Sequence, residues 1–352
     1  MLKTSDGALC DAYDVAMLDL DGVVYVGRDA VPGATEHLGR ARAAGLQLAY
    51  VTNNASRPPT AVAEHLRELG IEVDDTDVVS SAQAAARVLA DRLPKGAAVF
   101  VIGGEGLHVA LREQGLRPVQ RRSEEPVAVV SGFSADLRWS TVIAGAILVR
   151  EGLPWVASNT DLTVPTPDGP GPGNGALVEV VARFAERGPV VAGKPEPPLF
   201  EETLRRVGGE RPLVVGDRVD TDIEGARNVG YDSLLVMTGV TDLAQLVAVP
   251  ERLRPSYVAA DLGALARAQS APDVDGDAVC SGGWRATVRD GALVVDAVDG
   301  VDGVDQGEED GDDGERVDAW WRVVAAAGWR HLDAQGSAAA VSGLRPPSSV
   351  GP

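Results

Sequence analysis

The chain is predicted to be an α/β protein with a doubly wound, Rossmann-like parallel sheet, and three observations carry that expectation. Short continuous apolar runs bounded by turn residues fit strands buried on both faces. Helical patterns lie between those runs, so the strands should be parallel and crossed over by helices. Several runs end in polar clusters, as expected where ligands sit at the carboxyl ends of strands in an open α/β sheet.

The first run, Val15-Ala16-Met17-Leu18, leads into Asp19-Leu20-Asp21-Gly22-Val23-Val24-Tyr25. Two carboxylates one residue apart occupy a tight turn, where one can attack while the other handles a proton. An acidic turn is the plainer alternative, because Asp and Gly are ordinary turn residues. Taken alone, the motif leaves the two readings near parity. Leu46-Gln47-Leu48-Ala49-Tyr50-Val51 then runs into Thr52-Asn53-Asn54, and Val190-Val191-Ala192-Gly193 into Lys194-Pro195. Leu213-Val214-Val215-Gly216 runs into Asp217-Arg218-Val219-Asp220-Thr221-Asp222. Endings of this kind in succession indicate one site at one sheet edge.

Lysine usage sharpens the point. The chain carries Lys3, Lys95 and Lys194 and otherwise draws its positive charge from arginine. An ammonium is a compact point charge suited to phosphate, whereas guanidinium imposes a planar fork. A solvated loop lysine is the usual alternative; here it is disfavoured by the place of Lys194 directly after a strand.

These pieces together resemble the haloacid dehalogenase superfamily of aspartate-nucleophile phosphatases. Asp19-Leu20-Asp21-Gly22-Val23 is similar to its first motif, Thr52 to the hydroxyl of its second and Lys194 to its third. Gly216-Asp217-Arg218 through Thr221-Asp222-Ile223 is similar to its fourth. The forms Thr52-Asn53-Asn54, Gly193-Lys194-Pro195 and Gly216-Asp217-Arg218 look like the branch containing nitrophenyl-phosphate, phosphoglycolate and glycerol phosphate phosphatases. The resemblance implies that Asp19 is the nucleophile, forming an aspartyl-phosphate, and that Asp21 is the general acid and base. It implies that Thr52 and Lys194 hold phosphoryl oxygens, with Asn53 and Asn54 beside the substrate. It also implies that Asp19, Asp217 and the Asp21 backbone carbonyl hold Mg²⁺, which takes oxygen ligands, with Asp222 acting through a bound water or from outside the ligand set. A dehalogenase would not use the second Asp, and an ion-pumping ATPase would show Lys-Thr-Gly-Thr after the first. Neither fits, and a mutase is only weakly supported.

With 352 residues the chain can hold two or three domains. The expected core spans 11–80 and 188–265, with an inserted α/β cap at 81–187. In that cap, Ala97–Ile102 and Val127–Val130 read as strands. Gly103-Gly104-Glu105-Gly106 lacks the third glycine of a dinucleotide fingerprint and reads as a packing turn. Gly173, Asn174 and Gly175 match a Pro-Gly-x-Gly element of the branch and are candidate substrate contacts, the alternative being a turn opening a helix over Ala176–Glu186. Asn159 and Asp161 could equally brace the cap or touch substrate.

A small α+β module is expected at 270–345. Arg289-Asp290-Gly291 suggests a hairpin turn, 299–315 an acidic loop, and Val317–Ala327 a helix carrying Trp320 and Trp321. No catalytic motif lies in it, so it should be dispensable for the chemistry, and Pro346 to Pro352 should be frayed. Core, cap and extension together resemble bacterial glycerol 3-phosphate phosphatases. That resemblance implies hydrolysis of glycerol 3-phosphate, with phosphoglycolate or another small phosphomonoester as the alternative. A phosphate-ligand sensor recruiting a partner through the C-terminal module is a reading of another class; the complete set Asp19, Asp21, Lys194 and Asp217 speaks against it.

The net charge of −20 disfavours nucleic acid and anionic membranes as partners. Asp6, Asp11 and Asp14 argue against a signal peptide, and no apolar run reaches membrane-spanning length. A cytoplasmic enzyme is expected, with a homo-oligomer among its allowed states. Cys10 and Cys280 form no disulfide or zinc framework, and His37, His65, His108 and His331 read as surface residues.

Overall fold

The computed structural model describes residues 2–166, 169–298 and 313–347. The chain divides into two compact units, Met1–Leu48 with Gly209–Pro352, and Ala49–Gly208.

In the first unit, four parallel strands lie in the order Tyr257–Ala259, Asp232–Val236, Pro212–Gly216, Val15–Leu18. Val15–Leu18 and Pro212–Gly216 are buried at every position, which is why they read as continuous apolar runs rather than alternating ones. The helix Ala34–Ala43 buries Ala34, Leu38 and Ala41, one face at helical spacing. Glu224–Val229 stops at Gly230, whose φ of 76° is the left-handed conformation favoured just past a helix.

The C-terminal region is a four-stranded antiparallel sheet, Asp273–Asp275, Ala278–Ser281, Trp284–Arg289 and Ala292–Ala297, in sequence order. Its last hairpin turns through Asp290 and Gly291, with φ of 50° and 77°. Positive φ at both central residues is what a two-residue primed turn requires. The helix Asp313–Gln335 follows, longer at both ends than the expected Val317–Ala327. Asp313 and Glu315 therefore form its first turn instead of closing an acidic loop, and their charges suit a helix N-terminus. Residues 299–312 of that expected loop, and 348–352 of the expected frayed end, lie outside the described residues.

This helix is not appended to the outside of a finished core. Val317, Trp320, Trp321, Val324 and Trp329 share one hydrophobic cluster with Leu235, Leu246, Val247 and Val258 of the parallel layer and with Val279, Ala286 and Leu293 of the antiparallel sheet. Trp329 Nε1 donates to the Leu246 carbonyl at 2.8 Å, satisfying its one polar atom.

In the second unit, Tyr50–Thr52 of the strand Gln47–Thr52 pairs in parallel with Val78–Ser80. A five-stranded parallel sheet has the order Val190–Val191, Trp155–Ala157, Ala128–Ser131, Ala98–Ile102, Arg117–Val119. The helices Trp139–Arg150 and Asn174–Ala185 contribute Val142, Val149, Val178 and Val181 to the cluster around Phe100, Ile102 and Val129. Residues 81–187, the expected cap, lie inside this unit.

One expectation is corrected here. The strand before Lys194 does not line up with Val15–Leu18 and Pro212–Gly216 in one parallel sheet; Val190–Val191 is the edge of this second sheet, paired with Val156 and Ala157. Its two residues are exposed and half-buried, so it is not a strand covered on both faces. The Gly103-Gly104-Glu105-Gly106 turn packs as expected: Gly106 N donates to Ser56 O at 3.1 Å, and a Cβ on Gly104 would stand 2.9 Å from the same oxygen. The chain's own backbone thus occupies that helix start.

Candidate active site

Three carboxylates meet at the carboxyl ends of two neighbouring strands in the first unit. Asp19, Asp217 and Asp222 each offer an oxygen, and these atoms lie within 4.8 Å of one another. Asp19 follows Val15–Leu18, and its N–H donates to Val215 O at 2.8 Å, which continues the strand pairing to the first residue of the turn. Asp217 follows Pro212–Gly216. Its Oδ2 accepts from Val240 N at 2.6 Å, and its backbone carbonyl accepts from Thr241 Oγ1 at 2.6 Å. Asp222 Oδ2 accepts from Arg218 N at 3.1 Å across the wide helical turn Val219–Ile223. Asp217 and Asp222 are fully buried and Asp19 is half-buried.

Glycine makes this crowding possible. Gly22 has φ 84°, and a Cβ there would lie 2.8 Å from Asp217 Cγ. A Cβ on Gly239 would strike the same side chain, and one on Gly216 would strike Asp222. Thr238 Oγ1 donates to Gly22 O at 2.6 Å and ties the two walls together. Asp21 is exposed in the turn, which Gly22 N closes by donating to Tyr25 O at 2.8 Å. Beside the cluster, Arg218 binds Asp220 through two nitrogens at 3.1 and 2.8 Å. Burial would raise the Asp220 carboxyl, but this guanidinium holds it below the usual range.

Three anionic oxygens so close repel unless a cation lies among them, and carboxylate oxygens are the donors a hard divalent ion takes. The residues present therefore fit Mg²⁺.

The second unit positions the other candidates. Thr52 and Lys194 are buried. Thr52 Oγ1 accepts from Asn54 N at 3.0 Å, and Asn54 Oδ1 accepts from Ser56 N and Oγ at 2.9 and 2.6 Å. Asn53 bonds the backbone of Lys194, accepting its N–H at Oδ1 (2.8 Å) and donating from Nδ2 to its carbonyl (3.0 Å). Gly173 N donates to Leu162 O and Gly175 N to Asp161 O, each at 2.8 Å. Asn174 is buried, and its Nδ2 donates to Asn159 O at 2.6 Å.

Gly239, Val240 and Thr241, which wall and bond Asp217, were not singled out by the sequence reading. Their only signal is a glycine shortly after the apolar run Leu234-Leu235-Val236. The histidines read as surface residues are half-buried, and burial pushes His37 and His108 below the usual imidazole value.

Residues 16–117 match the model of haloacid dehalogenase-like hydrolases, and 191–265 match a second model of similar hydrolases. The chain is 41% identical over 290 residues to a D-glycerol 3-phosphate phosphatase of Mycobacterium tuberculosis, covering 82% of this chain and 80% of that protein. It is 36% identical over 252 residues to an acid sugar phosphatase of Staphylococcus aureus, covering 71% and 95% respectively. A crystal structure of the M. tuberculosis glycerol phosphate phosphatase in complex with magnesium superposes with TM-score 0.79 at 38% identity, covering 92% of each chain. The chain belongs to the haloacid dehalogenase-like hydrolases.

Proposed function

We propose that this hydrolase is a Mg²⁺-dependent phosphatase that cleaves glycerol 3-phosphate to glycerol and phosphate. The observation that carries the reading is the glycine-walled cluster of Asp19, Asp217 and Asp222 at the strand ends. The chain that holds it is 41% identical over 290 residues to a D-glycerol 3-phosphate phosphatase of Mycobacterium tuberculosis. The sequence match to the glycerol 3-phosphate phosphatase covers 82% of the chain and so runs into the C-terminal extension, whereas the sequence match to the acid sugar phosphatase covers 71%. That contrast favours glycerol phosphate over a sugar phosphate.

Asp19, Asp217 and the Asp21 carbonyl would hold Mg²⁺, with Asp222 beside them. The ion supplies charge neutralisation at the phosphoryl group. An Asp19 carboxylate oxygen attacks phosphorus as the bond to the glycerol oxygen breaks, and Asp21 delivers a proton to that oxygen. Asp21 then takes a proton from water, which attacks the aspartyl-phosphate and releases phosphate with Asp19 restored. Thr52 and Lys194 bind phosphoryl oxygens, and the Lys194 ammonium offsets repulsion between carboxylate and anionic substrate.

Phosphate release from glycerol 3-phosphate, phosphoglycolate and nitrophenyl phosphate, with Mg²⁺ and after chelation, tests the reading. The highest kcat/KM should fall on glycerol 3-phosphate. Turnover that survives thorough chelation removes the metal, and a preference for phosphoglycolate removes the substrate.

A further inference from the structure

We propose that Asp161 is a positioning residue for Lys194 that acts through the side-chain amide of Asn53; the proposal rests on the phosphatase reading above. Asn53 Oδ1 accepts from Lys194 N at 2.8 Å, while Nδ2 donates to Lys194 O at 3.0 Å. The same Nδ2 donates to both carboxylate oxygens of Asp161, each at 3.2 Å. Turning the amide over would set its oxygen against a carbonyl and a carboxylate, and its N–H groups against the Lys194 N–H. Only one orientation satisfies all four contacts. Asp161 therefore reinforces the orientation that the N–H and carbonyl of Lys194 require, and holds the Nδ2 end of the amide from its other side.

The fit is close. A Cβ on Gly193 would stand 2.6 Å from Asn53 Oδ1, so the residue before Lys194 has to be glycine for the amide to reach its place. The Asn53 carbonyl accepts from Asn159 Nδ2 and from Ser81 Oγ, both at 2.6 Å, which fixes the backbone of the clamp. Asp161 is fixed in turn: its N–H donates to Asn159 Oδ1 at 3.1 Å, and its carbonyl accepts from Gly175 N at 2.8 Å. The Gly173–Gly175 loop is thus hydrogen-bonded to the residue that orients the lysine. A misplacement of about 1 Å at a reacting group can cost about a hundredfold in rate, so a carboxylate bonded to the clamp can govern turnover through the place it gives the lysine.

The test is a double-mutant cycle of Asp161→Leu and Lys194→Ala, read as kcat/KM for nitrophenyl phosphate with Mg²⁺ and as inorganic phosphate affinity by calorimetry. Thermal unfolding of every variant is followed in parallel. With Lys194 present, Asp161→Leu should lower kcat/KM by about tenfold to a hundredfold. With Lys194→Ala it should change either readout by less than about twofold. Asp161→Asn keeps one acceptor for Asn53 Nδ2, so it should lose less than Asp161→Leu; it serves for the same cycle if the leucine variant does not fold. Equal losses in both backgrounds, or wild-type kinetics in the single variants, overturn the role of Asp161. A wild-type protein that releases no phosphate from any phosphomonoester overturns the phosphatase reading instead.

Discussion

Two charged regions of the first unit are built on opposite rules. At the strand ends, Asp19, Asp217 and Asp222 bring like charges within 4.8 Å, against glycines and backbone amides. Along the helix Asp313–Gln335, three acids each meet a base. Arg254 binds Asp333 at 2.6 Å, Arg267 binds Asp318 at 2.7 Å and Arg322 binds Glu315 at 2.6 Å. Crowded like charge destabilises a fold and persists where a ligand supplies the opposite sign, whereas paired charge can be accommodated without one. The first region has the build of a reaction site and the second that of a brace.

The sharpest way to break this contrast is to remove the brace. Ending the chain near residue 268 would uncover Leu246, Val247 and Val258, which pack with Trp320, Trp321 and Trp329. Each large apolar side chain contributes about 1.5–3 kcal/mol by burial, so these three alone approach the roughly 5–15 kcal/mol that separates a folded domain from its unfolded chain. Scanning calorimetry should find no cooperative transition in the truncated protein. A soluble, folded and active fragment would contradict the brace and bear out the expectation that the extension is dispensable for the chemistry.

Changing the site should do the reverse. Asp19→Asn should lower phosphate release by about a thousandfold or more, because the proposed nucleophile is gone. Without Mg²⁺ its melting temperature should equal or exceed that of the wild type, since one of three repelling charges has been removed. Comparable turnover, or a large loss of stability, would contradict the assignment.

A smaller effect lies within the brace. Burial pushes the Asp318 carboxyl up to about 6, with Arg267 and the Ala260 N–H only partly offsetting it. The folded state then binds a proton more tightly than the unfolded one. This residue's contribution is therefore fully present below about pH 4 and lost as pH rises through 6, up to about 3 kcal/mol in all. The unfolding free energy of the wild type minus that of Asp318→Asn should fall across that window. A difference that grows with pH would show that the Arg267 pair outweighs burial. Smallest of all, Gly291→Ala forces a side chain onto φ 77° and should cost about 1–2 kcal/mol in chemical denaturation, with kinetics untouched.

Legibility in the sequence divides along physical lines. Val15–Leu18 and Pro212–Gly216 were readable because strands buried on both faces leave unbroken apolar runs. The Asp290-Gly291 hairpin was readable because few residue pairs accept two positive φ values. Asp19 and Asp217 were readable because a strand, a carboxylate and a glycine are adjacent in the chain. Thr241 binding Asp217, and Asp161 binding Asn53, were not, because contacts between distant segments leave no local pattern. The sheet membership of Val190–Val191 was hidden likewise, since two apolar residues do not say which neighbour they pair with. Trp320 and Trp321 were noticed, but their partners Leu246 and Val247 lie far back in the chain.

Calorimetric titration of Mg²⁺ into the wild type and into Asp217→Asn tests the central claim, that the carboxylate cluster is a cation site, without relying on turnover. One site per chain should appear in the wild type, and the variant should bind at least about tenfold more weakly, the scale set by losing one charged ligand. Equal affinity in the two proteins would mean that Mg²⁺, if it binds, binds elsewhere, and would contradict the account.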